Sequence, residues 1–355
     1  MSHPVWFLKG RRVFTDACHH RRVSEDFGDR RDGATARATG PGGLPVITVD
    51  GGIGTVARSV YLCDRHLWAA GSELRDERFG EHLVLLGIRA LVVEPAVVEQ
   101  AGATRVDRVR GLLAEDGVKL YVADAPLTDA DPDDAHDAAP QEPDEAEEPE
   151  LARPGRELAA TVDALEAGGE PPLLGLDVAL SDLFLATQVC PEGAAQTRDV
   201  ARTLATAAFL LPGPWILRGG DELGLRGRRR DLRPSPTDRL EDDLASTRSV
   251  TAHLRRVAAM RPIGAARVTR VDTGGAGGDA LAYHVDPEGG DPYVVLANLA
   301  TEVARVELKP EGHGRAAIKR IAAGAVAATL VTHEDTGIEQ NTMRLGPWES
   351  RVYLL

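Results

Sequence analysis

The sequence predicts an α/β chain in which a parallel sheet is layered with helices and followed by an antiparallel β-domain. Three observations carry this reading. Helix-period segments alternate with short apolar runs over residues 44–124 and again over 173–260. A stretch of acids interrupts the alternation at 129–150. The last ninety or so residues switch to short strands bounded by turn chemistry.

The elements follow in order. Residues 1–43 carry arginine pairs (Arg11-Arg12, Arg21-Arg22, Arg30-Arg31) and little periodicity, and read as an irregular extension. Within it, Cys18-His19-His20 is too contiguous to converge on one metal ion. Pro45–Val49 reads as a buried strand, and Asp50-Gly-Gly-Ile-Gly-Thr55 after it as a plain βα turn. The competing reading, a phosphate cradle, lacks a full glycine fingerprint and a placed lysine. Phe79, Leu83 and Leu86 recur at helical spacing, Gly87 breaks the pattern, and Ile88–Val93 is a strand stopped by Glu94-Pro95. The cycle repeats with a helix over Val106–Ala114, Gly117, and a strand over Val118–Ala123 that ends at Asp124.

Between Asp129 and Glu150 stand eleven acids, four prolines and no Lys or Arg, which predicts a solvated linker. A cation-binding loop would need a glycine at its turn, and this stretch has none. Leu173–Val178 and Asp182–Ala186 then read as short strands, Gln196–Leu211 as a helix stopped by Pro212-Gly213-Pro214, and Trp215–Leu217 as a strand. Arg226–Arg230 reads as a solvated loop, with an acidic partner or phospholipid headgroups as the alternative, and Ser246–Met260 as a helix. Strands follow over 280–285, 293–298, 303–308, 328–332 and 351–355, with Asp286–Gly290 as a hairpin turn, giving a β-sandwich.

The whole chain has 355 residues, a net charge of −14 and 43% hydrophobic residues. The core is therefore substantial, and the acid excess argues against nucleic acid or an anionic membrane surface as a partner. Arginine outnumbers lysine 37 to 4, a bias that weakens any motif resting on arginine alone. Three scattered cysteines make no disulfide framework, no apolar stretch is long enough for a transmembrane helix, and no secretory signal is evident at the start. No metal or cofactor is expected. His253, His284 and His333 lack ligand spacing.

Leu210-Leu-Pro-Gly-Pro-Trp-Ile-Leu-Arg-Gly-Gly-Asp-Glu-Leu-Gly224 resembles the α-amylase superfamily, glycoside hydrolase family 13. There a helix ends in Leu-Pro-Gly-x-Pro, the eighth barrel strand follows, and Gly-Asp-Glu-x-Gly closes the barrel. A helix with an arginine near its end (Arg255, Arg256, Arg261), Val294–Asn298 and Leu345–Glu349 continue the likeness. Leu86–Pro95 and Gly117–Asp124 look like the second and third barrel strands. The resemblance implies a TIM-type (β/α) barrel and a C-terminal β-sandwich. It divides the chain into an extension (1–43), the first part of the barrel (44–128), the linker (129–150), the last part of the barrel (151–265) and the β-domain (266–355). Outside the linker, residues 44–225 supply 160 positions, against about 250 for a usual barrel, so the barrel is contracted or incomplete.

The family positions on this chain are Asp124, Thr187, Gln188, Val189, Gly220, Asp221, Glu222 and Gly224. Asp124 lacks the following Asn-His pair, and Ala186-Thr187-Gln188-Val189 stands where the seventh strand carries Asn-His-Asp. Asp177 is the nearest match to the nucleophile, with Gly175 in place of the arginine two residues before it. Asp221 and Glu222 are expected to be structural or rim residues. Retaining chemistry needs a nucleophile and an acid/base facing each other, and no acid/base is identifiable. Thr187-Gln188 and the spacing to Leu211-Pro-Gly are similar to the ectodomains of amino-acid transporter heavy chains of the 4F2 cell-surface antigen kind. That likeness implies an inactive, ancillary protein at the extracellular side of the plasma membrane. Its implied partner is a membrane amino-acid transporter light chain. The alternative is a carbohydrate-metabolism enzyme of the same superfamily, an α-glucosidase or amylase, working through Asp177.

Overall fold

The structure is a computed structural model. It describes residues 40–47, 57–63, 78–125, 127, 153–170, 174–175, 194–223, 236–262, 264–273, 280–307, 315–322, 328–331, 338–339 and 342–355. The N-terminal extension before residue 40, the acidic stretch 129–150, the strand expected at 182–186 and the arginine loop 226–230 lie outside the described residues.

Six strands form a parallel sheet: β1 (Val46–Ile47), β2 (Ser59–Cys63), β3 (Ala90–Val93), β4 (Lys119–Ala123), β5 (Leu174–Gly175) and β6 (Trp215–Arg218). Their spatial order is β1-β4-β3-β2-β6-β5, and every pairing is parallel. The connections β2 to β3 and β3 to β4 run through helices α1 (Arg78–Leu85), α2 (Pro95–Ala101) and α3 (Ala103–Glu115), as parallel strands require. Gly87 and Gly117 end α1 and α3 with φ of 73° each, a left-handed turn that suits glycine. Closure of a barrel is not seen among the described residues.

The two faces of the sheet differ. Tyr61, Leu91, Val93, Leu120, Val122 and Leu217 belong to a core shared with the helices. Val60, Leu62, Ala90, Val92, Tyr121, Ala123 and Ile216 form a second apolar cluster with Ile47 and Leu127, in which, among the described residues, no helix residue takes part. Alternation along each strand produces this division, and in a barrel the helix-free face is the interior.

The remaining helices are α4 (Arg153–Glu166), α5 (Ala194–Phe209), α6 (Pro236–Ala245), α7 (Val250–Met260) and α8 (Arg315–Ala322). From Val200 to Leu211 every residue of α5 and its exit is buried. Such a helix must be covered on all sides. It packs on α7 and on the antiparallel strands β9 (Tyr293–Asn298) and β14 (Ser350–Leu354). The last carbonyls of a helix lack intrahelical donors. Here Tyr283 donates to Ala207 O (2.8 Å), Arg261 Nε to Phe209 O (3.1 Å) and Tyr293 to Leu210 O (2.6 Å). Arg261 also lies 5.1 Å above the Trp215 ring, and burial pushes its guanidinium down to about 10.

The C-terminal part contains two antiparallel sheets. One has five strands, in the order β11 (Ala328–Val331), β14, β9, β8 (Ala280–Pro287) and β7 (Ala266–Arg270). The other has three, β10 (Ala304–Glu307), β13 (Thr342–Leu345) and β12 (Ile338–Glu339). Ala282, Val294, Leu296 and Tyr353 of the first meet Val306, Met343 and Leu345 of the second in one core, so the sheets form the expected sandwich. That core also holds Ile318 and Ile321 of α8, a helix that the all-strand reading of this region lacked. Its short amphipathic stripe is masked in the sequence by neighbouring alanines and arginines. Helix α4 packs on β7 and β8, with Arg270 paired to Asp163 at 2.6 Å.

Candidate functional site

In parallel sheets flanked by helices, chemistry gathers beyond the strand C-termini. Three described strands place a carboxylate there. Glu94 follows β3, Asp124 follows β4, and Asp221 with Glu222 follows β6.

Glu94 is buried, and its Oε1 accepts the Leu127 N–H at 2.9 Å. The carboxylate thereby ties the loop leaving β4 to the end of β3. Asp124 is exposed, and its backbone N–H donates to Ile47 O at 2.8 Å, extending the β1–β4 pairing by one residue. Gly220 has φ of 98°, and this turn lets the chain fold back over β6. The Gly220 N–H donates to Glu222 Oε2 (2.8 Å), and the Arg218 N–H donates to Asp221 Oδ2 (3.0 Å). Asp221 is half-buried and serves as a turn residue.

Glu222 is 1% exposed. Its Oε1 accepts the Tyr61 hydroxyl at 2.8 Å, and His82 Nε2 of α1 stands 3.7 Å from the same oxygen. Thr251 of α7 donates to the Glu222 carbonyl at 2.8 Å. Tyr61 belongs to the helix-facing core and meets the Phe79 ring edge-on at 5.8 Å. The Glu222 carboxylate is therefore engaged on the helix-facing side of the sheet, where it joins β2, the turn after β6 and α1, while the Glu222 carbonyl holds α7. On the other side of His82, Nδ1 is 3.3 Å from the Arg255 guanidinium. An arginine can only donate, so Nδ1 accepts and a neutral ring carries its proton on Nε2.

Asp177, Thr187, Gln188, Val189 and Gly224 lie outside the described residues. The strand beside β6 is Leu174–Gly175, two residues before Asp177. The structure thus brings Gly220, Asp221 and Glu222 into one hydrogen-bonded turn and leaves Asp124 at a separate strand end. Sequence reasoning missed Tyr61, because β2 was not recognised. It also missed Glu94 and His82 as buried groups. Two signals were available: Glu94 directly ends an apolar run, and His82 lies one turn after Phe79 on the stripe of α1. Among the described residues no group of three His, Cys, Asp or Glu side chains could hold a metal ion, and no helix is long and apolar enough to cross a membrane.

No protein-family model matches the chain, and no curated protein does. Among solved structures it is similar to the trehalose-6-phosphate hydrolase of Bacillus licheniformis, at 13% identity and a TM-score of 0.43, over 79% of this chain and 68% of that one. It is similar to the α-amylase from H. orenii at 12% identity and a TM-score of 0.33, over 79% and 64%. The isomaltulose synthase from Erwinia rhapontici NX5 aligns at 15% identity with a TM-score of 0.33, and there the chain spans only 39% of the other's length.

Proposed function

We propose that the chain is a contracted, non-hydrolytic member of the α-amylase superfamily that works as an ancillary binding protein, of the transporter heavy-chain type. The observation that carries this reading is the engagement of Glu222. In the motif that resembles the superfamily, this carboxylate is spent on the Tyr61 hydroxyl and the Gly220 N–H at the helix-facing side. Glu94, the other buried strand-end carboxylate among the described residues, accepts a backbone N–H. A general acid must instead present a protonatable oxygen to a leaving group, within about 3 Å of it. The heavy-chain element rests on the sequence likeness around Thr187-Gln188, with a membrane amino-acid transporter light chain as the partner.

Incubation of the whole protein with maltose and with aryl α-glucosides tests the first element. The expected result is no turnover above a blank. Turnover that disappears in Asp177→Ala would overturn it. Co-expression with a transporter light chain tests the second: the two should co-purify, and a light chain indifferent to this protein removes that element.

A specific observation favours a second reading, a working hydrolase. Because β5 runs parallel to β6, Asp177 follows the C-terminal end of a strand seated in the sheet, the usual place for a reacting carboxylate.

A further inference from the structure

His82 has different partners on its two ring nitrogens. Nδ1 accepts from Arg255 of α7 at 3.3 Å, and Nε2 stands 3.7 Å from Glu222 Oε1. The ring is 5% exposed, whereas Arg255 is only half-buried. The charged and titratable groups around the pair come from every neighbouring element. They are Glu81 on α1, Tyr61 on β2, Glu222 after β6, Arg255 on α7 and Asp243 on α6.

We propose that His82 is a proton-operated selector that binds α1 to α7 when neutral and to the end of β6 when charged. A proton on Nδ1 turns that nitrogen from an acceptor into a donor. It then faces the Arg255 guanidinium with no lone pair and with like charge, and the contact is lost. The same proton makes His82 a cation beside the Glu222 carboxylate, and a separation of 3.7 Å closes to a charge-assisted hydrogen bond. The sign follows: the α1–α7 contact belongs to the neutral ring and is lost when the ring is protonated. Because α7 leads directly into β7, acid loosens the link between the parallel sheet and the antiparallel part.

Hydrogen exchange of the whole protein, read by mass spectrometry at pH 7.5 and 5.5 and corrected for the intrinsic rate, tests this. Amides of α7 should lose about threefold or more of their protection in acid. His82→Gln keeps a neutral acceptor for Arg255 and a donor toward Glu222, so its α7 should lose less protection in acid than the wild type does, keeping only the part of that loss that His253 contributes. Arg255→Met should show the looser α7 at both. Wild-type α7 protection that does not change with pH overturns the proposal. So does an acid loss of α7 protection in His82→Gln as large as that of the wild type, since His253 on the same helix is intact in both and would then be its whole source.

Discussion

Two buried glutamates, one in each half of the molecule, solve the same problem differently. Glu222 closes the turn after β6 by accepting the Gly220 N–H, and Glu349 closes the turn between β13 and β14 by accepting the Gly346 N–H at 2.6 Å. The second acceptor oxygen separates them. Glu349 meets a full positive charge two residues away, Arg351 Nε at 2.7 Å, and both side chains are almost completely buried. Glu222 meets a neutral hydroxyl from Tyr61, 161 residues away in sequence. The first arrangement neutralises its charge locally and fastens a hairpin. The second leaves the charge to be shared among dipoles and uses it to gather β2, α1 and the turn after β6. A buried carboxylate can thus serve as a local clamp or as a long-range junction, depending on whether its counter-charge is close in the chain.

The comparison can be broken at its strongest point first. Arg351→Met leaves the Glu349 charge buried without its cation, at a cost of about 3–5 kcal/mol. Urea unfolding should show that loss, and Glu349→Gln in the same chain should recover much of it. If Arg351→Met is neutral, the clamp description is wrong. The junction is sharpened by Tyr61→Phe, which removes one donor from Glu222 in a buried setting and should cost about 1–3 kcal/mol. A larger loss than Arg351→Met would invert the ranking of the two corners.

The helix pair α5 and α7 connects both corners, since Thr203 of α5 donates to Trp348 O and Thr251 of α7 donates to Glu222 O. Between these helices His253 Nε2 meets Thr206 Oγ1 at 2.8 Å. That hydroxyl gives its proton to Arg202 O, so the imidazole is the donor. Burial, then Arg202 and Arg256, hold His253 well below its ordinary range. The unfolded chain therefore takes up a proton below about pH 6.5 that the folded chain refuses. Stability falls as pH drops below that value, by about 1.4 kcal/mol per pH unit from this one group. His253→Gln retains a donor for Thr206 and should flatten the slope of melting temperature against pH. Equal slopes in the two proteins would show that His253 does not titrate with unfolding.

Legibility in the sequence followed the range of the interactions. The strands β3 and β4 and the helices α1 and α3 were readable because each is framed by a local glycine at positive φ and a matching period. The strands β8 and β9 were readable from the hairpin turn between them. The central strand β2 was not, although all five of its residues are buried. Its sequence, Ser-Val-Tyr-Leu-Cys, is short, the glycine-rich turn at 50–55 in front of it reads as leading into a helix, and its neighbours β3 and β6 come from distant parts of the chain. The candidate site was half legible. The Gly-Asp-Glu turn stood out as a motif, but the partners that give Glu222 its role arrive through tertiary packing. No local pattern encodes a tyrosine 161 residues away.

The seating of β2 between β3 and β6 has a consequence during synthesis. One side of β2 is covered once residue 93 has been made, and the other side waits for residue 218. At roughly 5–20 residues per second, the intervening stretch takes about 6–25 s to emerge. Throughout that time a nascent chain presents an unpaired apolar strand edge, which makes the ribosome-bound state, rather than the finished protein, the stage most exposed to association with other chains.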